Sequence, residues 1–144
     1  MKVNVRVSGI VFKDEKIALV RHENSHNGIY YLLPGGGLEK NETIEGCVVR
    51  EVKEEIGLDV KIKSFAYYED VVSEDDHTLH LIFRCNIIGG KVENLDPDKK
   101  VKEIVFMDEK EFKKINFFPK KLKEKLFGEK DKELPISLGK TNFP

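Results

Sequence analysis

Apolar and polar positions alternate along several stretches of this chain. Val3, Val5 and Val7, for example, are separated by polar residues, and this period predicts half-buried strands. Strand-like stretches of this kind cover residues 3–12, 17–21, 29–33, 60–68, 78–88 and 103–107. The segment 69–77 is acidic instead, so we expect a loop there.

One segment has a helical period. Its apolar residues fall within an arc of ~140° on a helical wheel at about 100° per residue. They are Ile44, Val48, Val49, Val52 and Ile56. Thr43 is placed to cap the amino end of this helix, and Gly57 is placed to end it in a left-handed conformation. We therefore predict a helix over residues 44–56 with one face buried against a sheet.

Two more helix signals occur late in the sequence. Residues 108–111 have the capping-box pattern, and Pro119 suits the first turn of a helix that ends at Gly128. The order of elements lacks a regular alternation of strand and helix, so we expect an α+β fold with a mixed sheet layered between helices. A chain of 144 residues suits one domain. We place the domain at residues 1–128 and a tail at 129–144 that packs on the domain or on a partner.

Composition excludes few function classes. Apolar residues make up 40% and charged residues 35%, and the formal charge of -1 gives no overall field that would recruit nucleic acid or a membrane. Residues 99–140 hold thirteen lysines against eight acids, which predicts either a solvated face or a rim that attracts a polyanion.

Cys47 and Cys85 match no metal spacing and suit buried positions. No leader pattern and no apolar run of ~18 residues occur, so we expect a cytoplasmic protein that does not span a membrane.

The predicted helix carries clustered carboxylates. Glu51, Glu54 and Glu55 have the spacing i, i+3, i+4 and share an arc beside the apolar stripe, whereas Arg50 and Lys53 lie on another arc. The carboxylates would repel one another unless a cation neutralises them. Mg²⁺ and Mn²⁺ prefer oxygen ligands, and a glycine-rich loop just before the helix can supply a carbonyl or donate amides to an anion. This combination suits hydrolysis of a phosphoric anhydride by water.

The same residues resemble a known family. Gly36, five residues, Glu42, seven residues, and then the run 50–58 match the Nudix box without a departure, and Leu33-Pro34-Gly35 leads into it. The chain is therefore identified as a member of the Nudix hydrolase family, which is MutT-like. The resemblance implies the Nudix fold, a mixed sheet between helices. It also implies hydrolysis of a nucleoside diphosphate linked to another moiety, with Mg²⁺ or Mn²⁺.

The resemblance also implies roles for particular residues. The metal-binding residues it implies are Glu51, Glu54, Glu55 and the carbonyl of Gly35. Arg50 resembles the arginine that holds a box glutamate in place, and Glu42 lies either near the metal shell or where it favours the helix dipole. The residues expected on the substrate side are Gly36, Gly37 and Glu42. The general base is Glu54 or another box glutamate, the downstream acid Glu103, or an acid of the stretch 69–76.

The substrate is left open at this level. Candidates are a nucleoside triphosphate and a nucleoside diphosphate derivative, and the aromatic residues that could stack on a base are Tyr30, Tyr31, Tyr67, Tyr68 and Phe83. Two other readings are a non-catalytic nucleotide-binding module on the same fold and an acidic helix without a site. We expect a small nucleotide-type ligand, no stable complex with nucleic acid and a possible homodimer.

Overall fold

The computed structural model of the chain describes residues 2–128 and 134–142. Within these residues eight strands form one mixed sheet, accompanied by two α-helices and one 3₁₀ turn. The strands are β1 Lys2–Lys13, β2 Lys16–Asn24, β3 Gly28–Leu32, β4 Gly35–Gly37, β5 Leu58–Val72, β6 Asp76–Gly90, β7 Glu103–Met107 and β8 Ile136–Asn142. The helices are α1 Ile44–Ile56 and α2 Glu109–Phe112, and the 3₁₀ turn is Lys120–Leu122. This architecture confirms the α+β prediction. In the described part of the chain, no helix is long and apolar enough to cross a membrane.

The sheet changes partners along β1. Its strand order is β3-β2-β1-β6-β5-β8, with β4 paired to β1 and β7 paired to β2. The pairs β1–β6 and β5–β8 are parallel, and the other pairs are antiparallel. Near its carboxyl end β1 pairs with β2 through Phe12 and Lys13, whereas Arg6, Val7 and Ser8 pair with β4. The change leaves β4 as a short strand beside β1, directly before the loop that enters α1.

Both ends of α1 are fixed as the sequence predicts. The Thr43 hydroxyl accepts a hydrogen bond from the Gly46 amide at 3.0 Å, which satisfies one of the free amides at the start of the helix. Gly57 has φ 80°, a left-handed conformation that glycine adopts without steric cost, and its amide donates to the Lys53 carbonyl. Because both ends are fixed, the side chains of the last two turns have defined positions.

One face of α1 packs on the sheet and anchors the helix. Val48, Val52 and Ile56 are fully buried, as is Cys47, against residues of β1 and β2. Burying a side chain of this size stabilises the fold by about 1.5–3 kcal/mol. The predicted stripe was too wide, because Ile44 and Val49 at its margins are 38% and 39% exposed.

The opposite face of the sheet is covered by the segment after β7. Ile10 of β1 and Ile17 and Leu19 of β2 point to this side, where they pack with Phe112 of α2 and with the segment that follows it. The residues of that segment in the cluster are Phe117, Leu122 and Leu126. The sheet therefore lies between two apolar layers, which explains why β1 and β2 contain continuous apolar runs.

Two predicted elements differ from the structure. The acidic stretch 69–77 is mostly strand, since β5 continues to Val72 and β6 begins at Asp76. Two of its acids are paired across the hairpin, Asp70 with His77 at 2.8 Å and Glu69 with His80 at 3.2 Å. The helix predicted from Pro119 to Gly128 is only a 3₁₀ turn followed by further turns. Lysines at spacings of three and four residues repel one another there and disfavour an α-helix.

The predicted tail is described in part. Residues 129–133 and 143–144, including Phe143, lie outside the described residues. Between them β8 pairs in parallel with β5, from the Tyr67–Ile136 pair to the Val72–Asn142 pair. The described part of the tail is thus the edge strand of the sheet, which the sequence pattern did not indicate.

Both cysteines are free and buried, as predicted. Burial raises the pKa of the Cys47 thiol and of the Cys85 thiol to about 12 in each case. A thiol with so high a pKa is not ionised at neutral pH, so both residues serve in packing.

Candidate active site

The short strand β4 lies so close to its neighbours that side chains cannot be added there freely. A Cβ on Gly35 would come within 2.1 Å of the Val7 carbonyl oxygen, and a Cβ on Gly36 within 2.4 Å of the Glu51 carboxyl group. Glycine at these two positions lets β4 pack on β1 from one side and receive Glu51 from the other. The Gly35–Gly37 segment and α1 therefore form a single unit.

Gly35→Ala is expected to lower the free energy of unfolding by about 2–3 kcal/mol, because its Cβ would meet backbone atoms of β1 that can move only with the strand. Gly37→Ala is the matched control, since nothing lies within 4 Å of a Cβ built there. Urea denaturation of the two variants and the wild type measures the difference. Similar stability in both variants would contradict the close contact between Gly35 and β1.

Glu55 is a buried carboxylate with little compensation. It is 8% exposed, and its Oε1 accepts a hydrogen bond of 2.9 Å from the Gly35 amide. Desolvation raises the pKa of Glu55 to about 8, and the Gly35 amide opposes that shift only in part. Among the contacts of the described residues, Glu55 has no ion pair with a cationic side chain. A buried acid in this state would be stabilised by a cation.

Arg50 is the centre of a charged network that joins the loop to the helix. Its Nε donates to Glu42 Oε2 at 2.6 Å and its Nη2 donates to Glu42 Oε1 at 3.0 Å, so the pair is bidentate. Nη1 donates to Glu51 Oε1 at 2.8 Å and to Glu54 Oε2 at 3.3 Å, and Nη2 also reaches the Gly37 carbonyl at 3.1 Å. The helical wheel placed Arg50 away from the carboxylates, but its long side chain turns back to them. These hydrogen bonds raise the pKa of Arg50, which keeps its charge.

The pair between Glu42 and Arg50 gives a pH-dependent stability. Hydrogen bonding from Arg50 lowers the pKa of Glu42 from 4.5 to about 2. Because the pKa is lower in the folded state, ionised Glu42 stabilises the fold above pH 4.5, and this contribution disappears as the pH falls to about 2. The difference in unfolding free energy between the wild type and Glu42→Gln should therefore be constant above about pH 5 and shrink towards pH 2. Denaturant titrations across this range measure it, and a difference that stays constant down to pH 2 would refute the pair.

The oxygen donors of the site suit a hard divalent cation, although their side chains do not converge into a complete coordination site. Among the described residues, no three His, Cys, Asp or Glu side chains converge as a complete metal site. Glu51 and Glu54 already face one positive charge, the Nη1 of Arg50, and burial raises the pKa of Glu51. Carboxylate and carbonyl oxygens are the ligands that Mg²⁺ and Mn²⁺ prefer. A cation between these groups and Glu55 would neutralise the buried carboxylates.

Glu103 lies apart from this network. It is the first residue of β7, where it faces Arg21 of β2 and accepts a hydrogen bond from its Nε at 3.3 Å. Its side chain is 56% exposed, and Arg21 also contacts Glu23 at 3.6 Å. In its described contacts Glu103 belongs to a surface pair between two strands, and the structure does not bring it to the box glutamates.

Two charged residues near the site, Arg6 and Asp96, were missed from the sequence, and His22 lies near them. Arg6 of β1 lowers the pKa of Glu51 and of Glu55 through its charge, against the larger effect of burial. Asp96 raises the pKa of Glu55 through its charge, and its own carboxylate accepts hydrogen bonds from three backbone amides of the same loop. His22 has a buried Nε2 without a hydrogen-bond partner among the described residues, and burial lowers its pKa. Of these residues, only Arg6 could have been noticed in the sequence, because it is a charged residue within a strand of alternating apolar positions.

A cavity of about 480 Å³ opens beside β4. It is lined by residues 3–6 of β1 and by Gly37, Leu38 and Thr78. Its volume is within the range of small-molecule sites. Since Arg6 lines the cavity and also acts on the carboxylates, the cavity and the carboxylate cluster are neighbours.

Three of the five aromatic candidates divide into buried packing residues and one accessible ring. Tyr67 and Phe83 are buried in the two apolar layers, which makes them packing residues. Tyr30 is half-buried and stacks on His22, with 5.5 Å between the ring centroids. Of these three, Tyr30 alone is both accessible and close to a titratable residue near the site.

The chain matches known proteins over most of its length. The family model of the NUDIX domain matches residues 2–126. An ADP-ribose pyrophosphatase of Methanocaldococcus jannaschii is 37% identical over 120 residues, which cover 82% of this chain and 69% of that protein. A NAD-capped RNA hydrolase NudC of Vibrio atlanticus is 36% identical over 88 residues, which cover 61% of this chain and 30% of the relative.

Solved structures have the same fold. A MutT protein from Bacillus halodurans has a TM-score of 0.72 at 18% identity, covering 88% of this chain and 83% of that one. An ADP-ribose pyrophosphatase from Streptococcus suis has a TM-score of 0.69 at 20% identity, covering 93% and 98%. Because the NUDIX model spans residues 2–126 and the fold agrees with it, the chain belongs to the NUDIX domain family.

Proposed function

We propose that the chain is a divalent-cation-dependent pyrophosphohydrolase that cleaves the phosphoanhydride bond of a nucleoside diphosphate derivative. The observation that carries this proposal is the carboxylate network of α1, in which Glu51 and Glu54 share Arg50 while Glu55 binds the Gly35 amide. The relative from Methanocaldococcus jannaschii, whose match covers 82% of this chain, is named an ADP-ribose pyrophosphatase. ADP-ribose is a nucleoside diphosphate linked to a second moiety, which favours that class over nucleoside triphosphates.

The proposed metal ligands are the three box glutamates and the carbonyl of Gly35. When bound, Mg²⁺ or Mn²⁺ supplies charge neutralisation at the phosphates and lowers the pKa of a bound water. Arg50 is the residue that orients the carboxylates, since its guanidinium contacts Glu51, Glu54 and Glu42 together. Its rigid fork fixes their positions relative to one another.

We assign the proton-accepting role to Glu54. Its side chain is 30% exposed, whereas that of Glu51 is 13% exposed and Glu55 is buried, so attacking water can reach Glu54 most easily. Glu103 is less suited, because it is paired with Arg21 on the neighbouring strand. A general base must lie within hydrogen-bond reach of the proton that it accepts.

The substrate is proposed to extend from the carboxylates into the cavity beside β4. Gly37 is exposed and nothing lies within 4 Å of a Cβ built there, so a diphosphate can approach the backbone at this position, next to Gly36 and Glu51. Arg6 lines the cavity and offers a positive charge to a phosphate. In the described contacts Arg6 has no ion pair, so its guanidinium is available for an anionic ligand.

The test is a product analysis on a panel of nucleotides. Wild-type protein is incubated with ADP-ribose, NAD, a diadenosine polyphosphate and nucleoside triphosphates, each with Mg²⁺, Mn²⁺ or EDTA. The proposal expects AMP and ribose 5-phosphate from ADP-ribose, and no products with EDTA. If only the nucleoside triphosphates are hydrolysed, with release of pyrophosphate, the substrate class is nucleoside triphosphates instead of nucleoside diphosphate derivatives. Binding without turnover of any compound would favour a non-catalytic module.

Other properties stay predictions from the sequence. They are the division into a domain at 1–128 and a tail at 129–144, the cytoplasmic location, the absence of a stable nucleic acid complex and the possible homodimer. Light scattering of the purified protein tests the homodimer directly.

A further inference from the structure

A chain of polar side chains crosses four neighbouring strands of the sheet. Ser8 Oγ of β1 lies 2.7 Å from His80 Nε2 of β6, and His80 Nδ1 lies 3.2 Å from Glu69 Oε1 of β5. The hydroxyl of Thr141 in β8 donates to Glu69 Oε2 at 3.3 Å. His80 thus bridges Ser8 and Glu69 through its two ring nitrogens. These residues form what we name the cross-sheet network: Ser8, His80, Glu69 and Thr141.

The cross-sheet network is sheltered from solvent. Glu69 is 3% exposed and Ser8 is 4% exposed, although acids are rarely buried to this degree without a partner. The side chain of His80 is 12% exposed and bridges the two. Hydrogen bonds at low local dielectric hold their groups in defined positions, which makes such a network rigid when every member is satisfied.

One end of the network contacts the strand that carries the candidate metal ligand. Ser8 pairs with Gly35 in the β1–β4 register, and a Cβ on Gly35 would come within 2.6 Å of Ser8 Oγ. The other side of Gly35 is held by Glu55, which accepts its amide hydrogen. Gly35 is therefore fixed between Ser8 on one side and Glu55 on the other.

We propose that Ser8, His80 and Glu69 are positioning residues that hold the Gly35–Gly37 strand in its working geometry, and that Thr141 extends this support to β8. The proposal rests on the proposed function, because the geometry matters through the cation and the diphosphate. A shift of 1 Å in a supporting element can cost up to about 10²-fold in rate. The network does not act as a nucleophilic triad, since its serine is buried against Gly35.

The kinetic arm of the test uses Ser8→Ala, which removes the hydroxyl without adding volume. We expect kcat for ADP-ribose with Mg²⁺ to fall about tenfold while KM stays within about twofold, because the ligand contacts are kept and the geometry is loosened. Thr141→Val, at the far end of the network, should lower kcat about threefold. Ser64→Ala is the control, as the same change on β5 at a half-buried position outside the network. An unchanged kcat in Ser8→Ala, or an equal fall in Ser64→Ala, overturns the proposal.

A second arm does not depend on activity. Amide hydrogen exchange is measured for residues 33–38 and for β5 and β6 in the same variants. We expect about tenfold faster exchange at residues 35–37 in Ser8→Ala and unchanged exchange in the centre of β5 and β6. The proposal is overturned if exchange becomes faster across the whole sheet. It is also overturned if exchange at residues 35–37 is no faster than in the wild type. If the wild type hydrolyses no nucleotide, the proposed function fails, and this arm still decides whether the network positions the strand.

Discussion

Glu54→Gln is expected to lower kcat about 10³-fold on a nucleoside diphosphate derivative, the largest effect of any single substitution at this site. Glutamine keeps the size of the side chain, but its neutral amide lacks the negative charge that holds a cation and is too weakly basic to take up a proton. The side chain of Glu54 makes one described polar contact, to Nη1 of Arg50 at 3.3 Å, and it is 30% exposed. The free energy of unfolding should therefore change by less than about 1 kcal/mol. Initial rates at saturating Mg²⁺ and urea denaturation measure the two effects.

The control for this substitution is Glu45→Gln. Glu45 lies in the first turn of the same helix and is exposed, so the change has the same chemistry at a position away from the network. Its rate should stay within about twofold, and its stability should fall by at most about 1 kcal/mol through the helix dipole. A Glu54→Gln variant that keeps more than a tenth of the wild-type kcat would refute the role assigned to Glu54. Large stability losses in it would show that the residue is structural.

What the sequence predicted correctly depends on local signals. The helix α1 follows from the 3.6-residue period between Val48 and Ile56, and its ends follow from Thr43 and Gly57. Each of these signals acts within a few residues, so it survives whatever the rest of the chain does. The clustering of the glutamates is local in the same sense, because residues three and four apart on a helix are neighbours.

What the sequence could not predict depends on long-range pairing. The side chains of Ser8 and His80 are 72 positions apart, and so are those of Glu69 and Thr141, yet each pair is in contact. Only the strand registers bring them together, and no single segment contains that information. The family resemblance implied a contact between Arg50 and a box glutamate, but the helical wheel alone missed the direction of this side chain for a related reason. Its Cα lies on a different arc of the helix, and the acids that attract it include Glu42 from the preceding loop.

Arg50 differs from an ordinary surface arginine in the burial of its partners rather than in its own exposure. Its side chain is 25% exposed, and Glu42 and Glu51 are only 15% and 13% exposed. The side chain of Arg21 is 24% exposed, but its partners Glu23 and Glu103 are each 56% exposed. The two arginines therefore form a matched pair that separates the effect of a sheltered network from that of a solvated ion pair.

Arg50→Lys is expected to lower the free energy of unfolding by about 2–4 kcal/mol and kcat about 10²-fold, because lysine keeps one charge but cannot bind Glu42 in two places while reaching Glu51. Arg21→Lys should cost less than about 1 kcal/mol and leave kcat within about twofold, since an exposed pair contributes little. Urea denaturation and initial rates of both variants, run side by side, measure the contrast. Equal losses in the two variants would mean that Arg50 acts only as a surface cation. A loss of rate in Arg50→Lys without a loss of stability would mean that Arg50 acts in the reaction itself. A loss of stability without a loss of rate would mean that Arg50 has only a structural role.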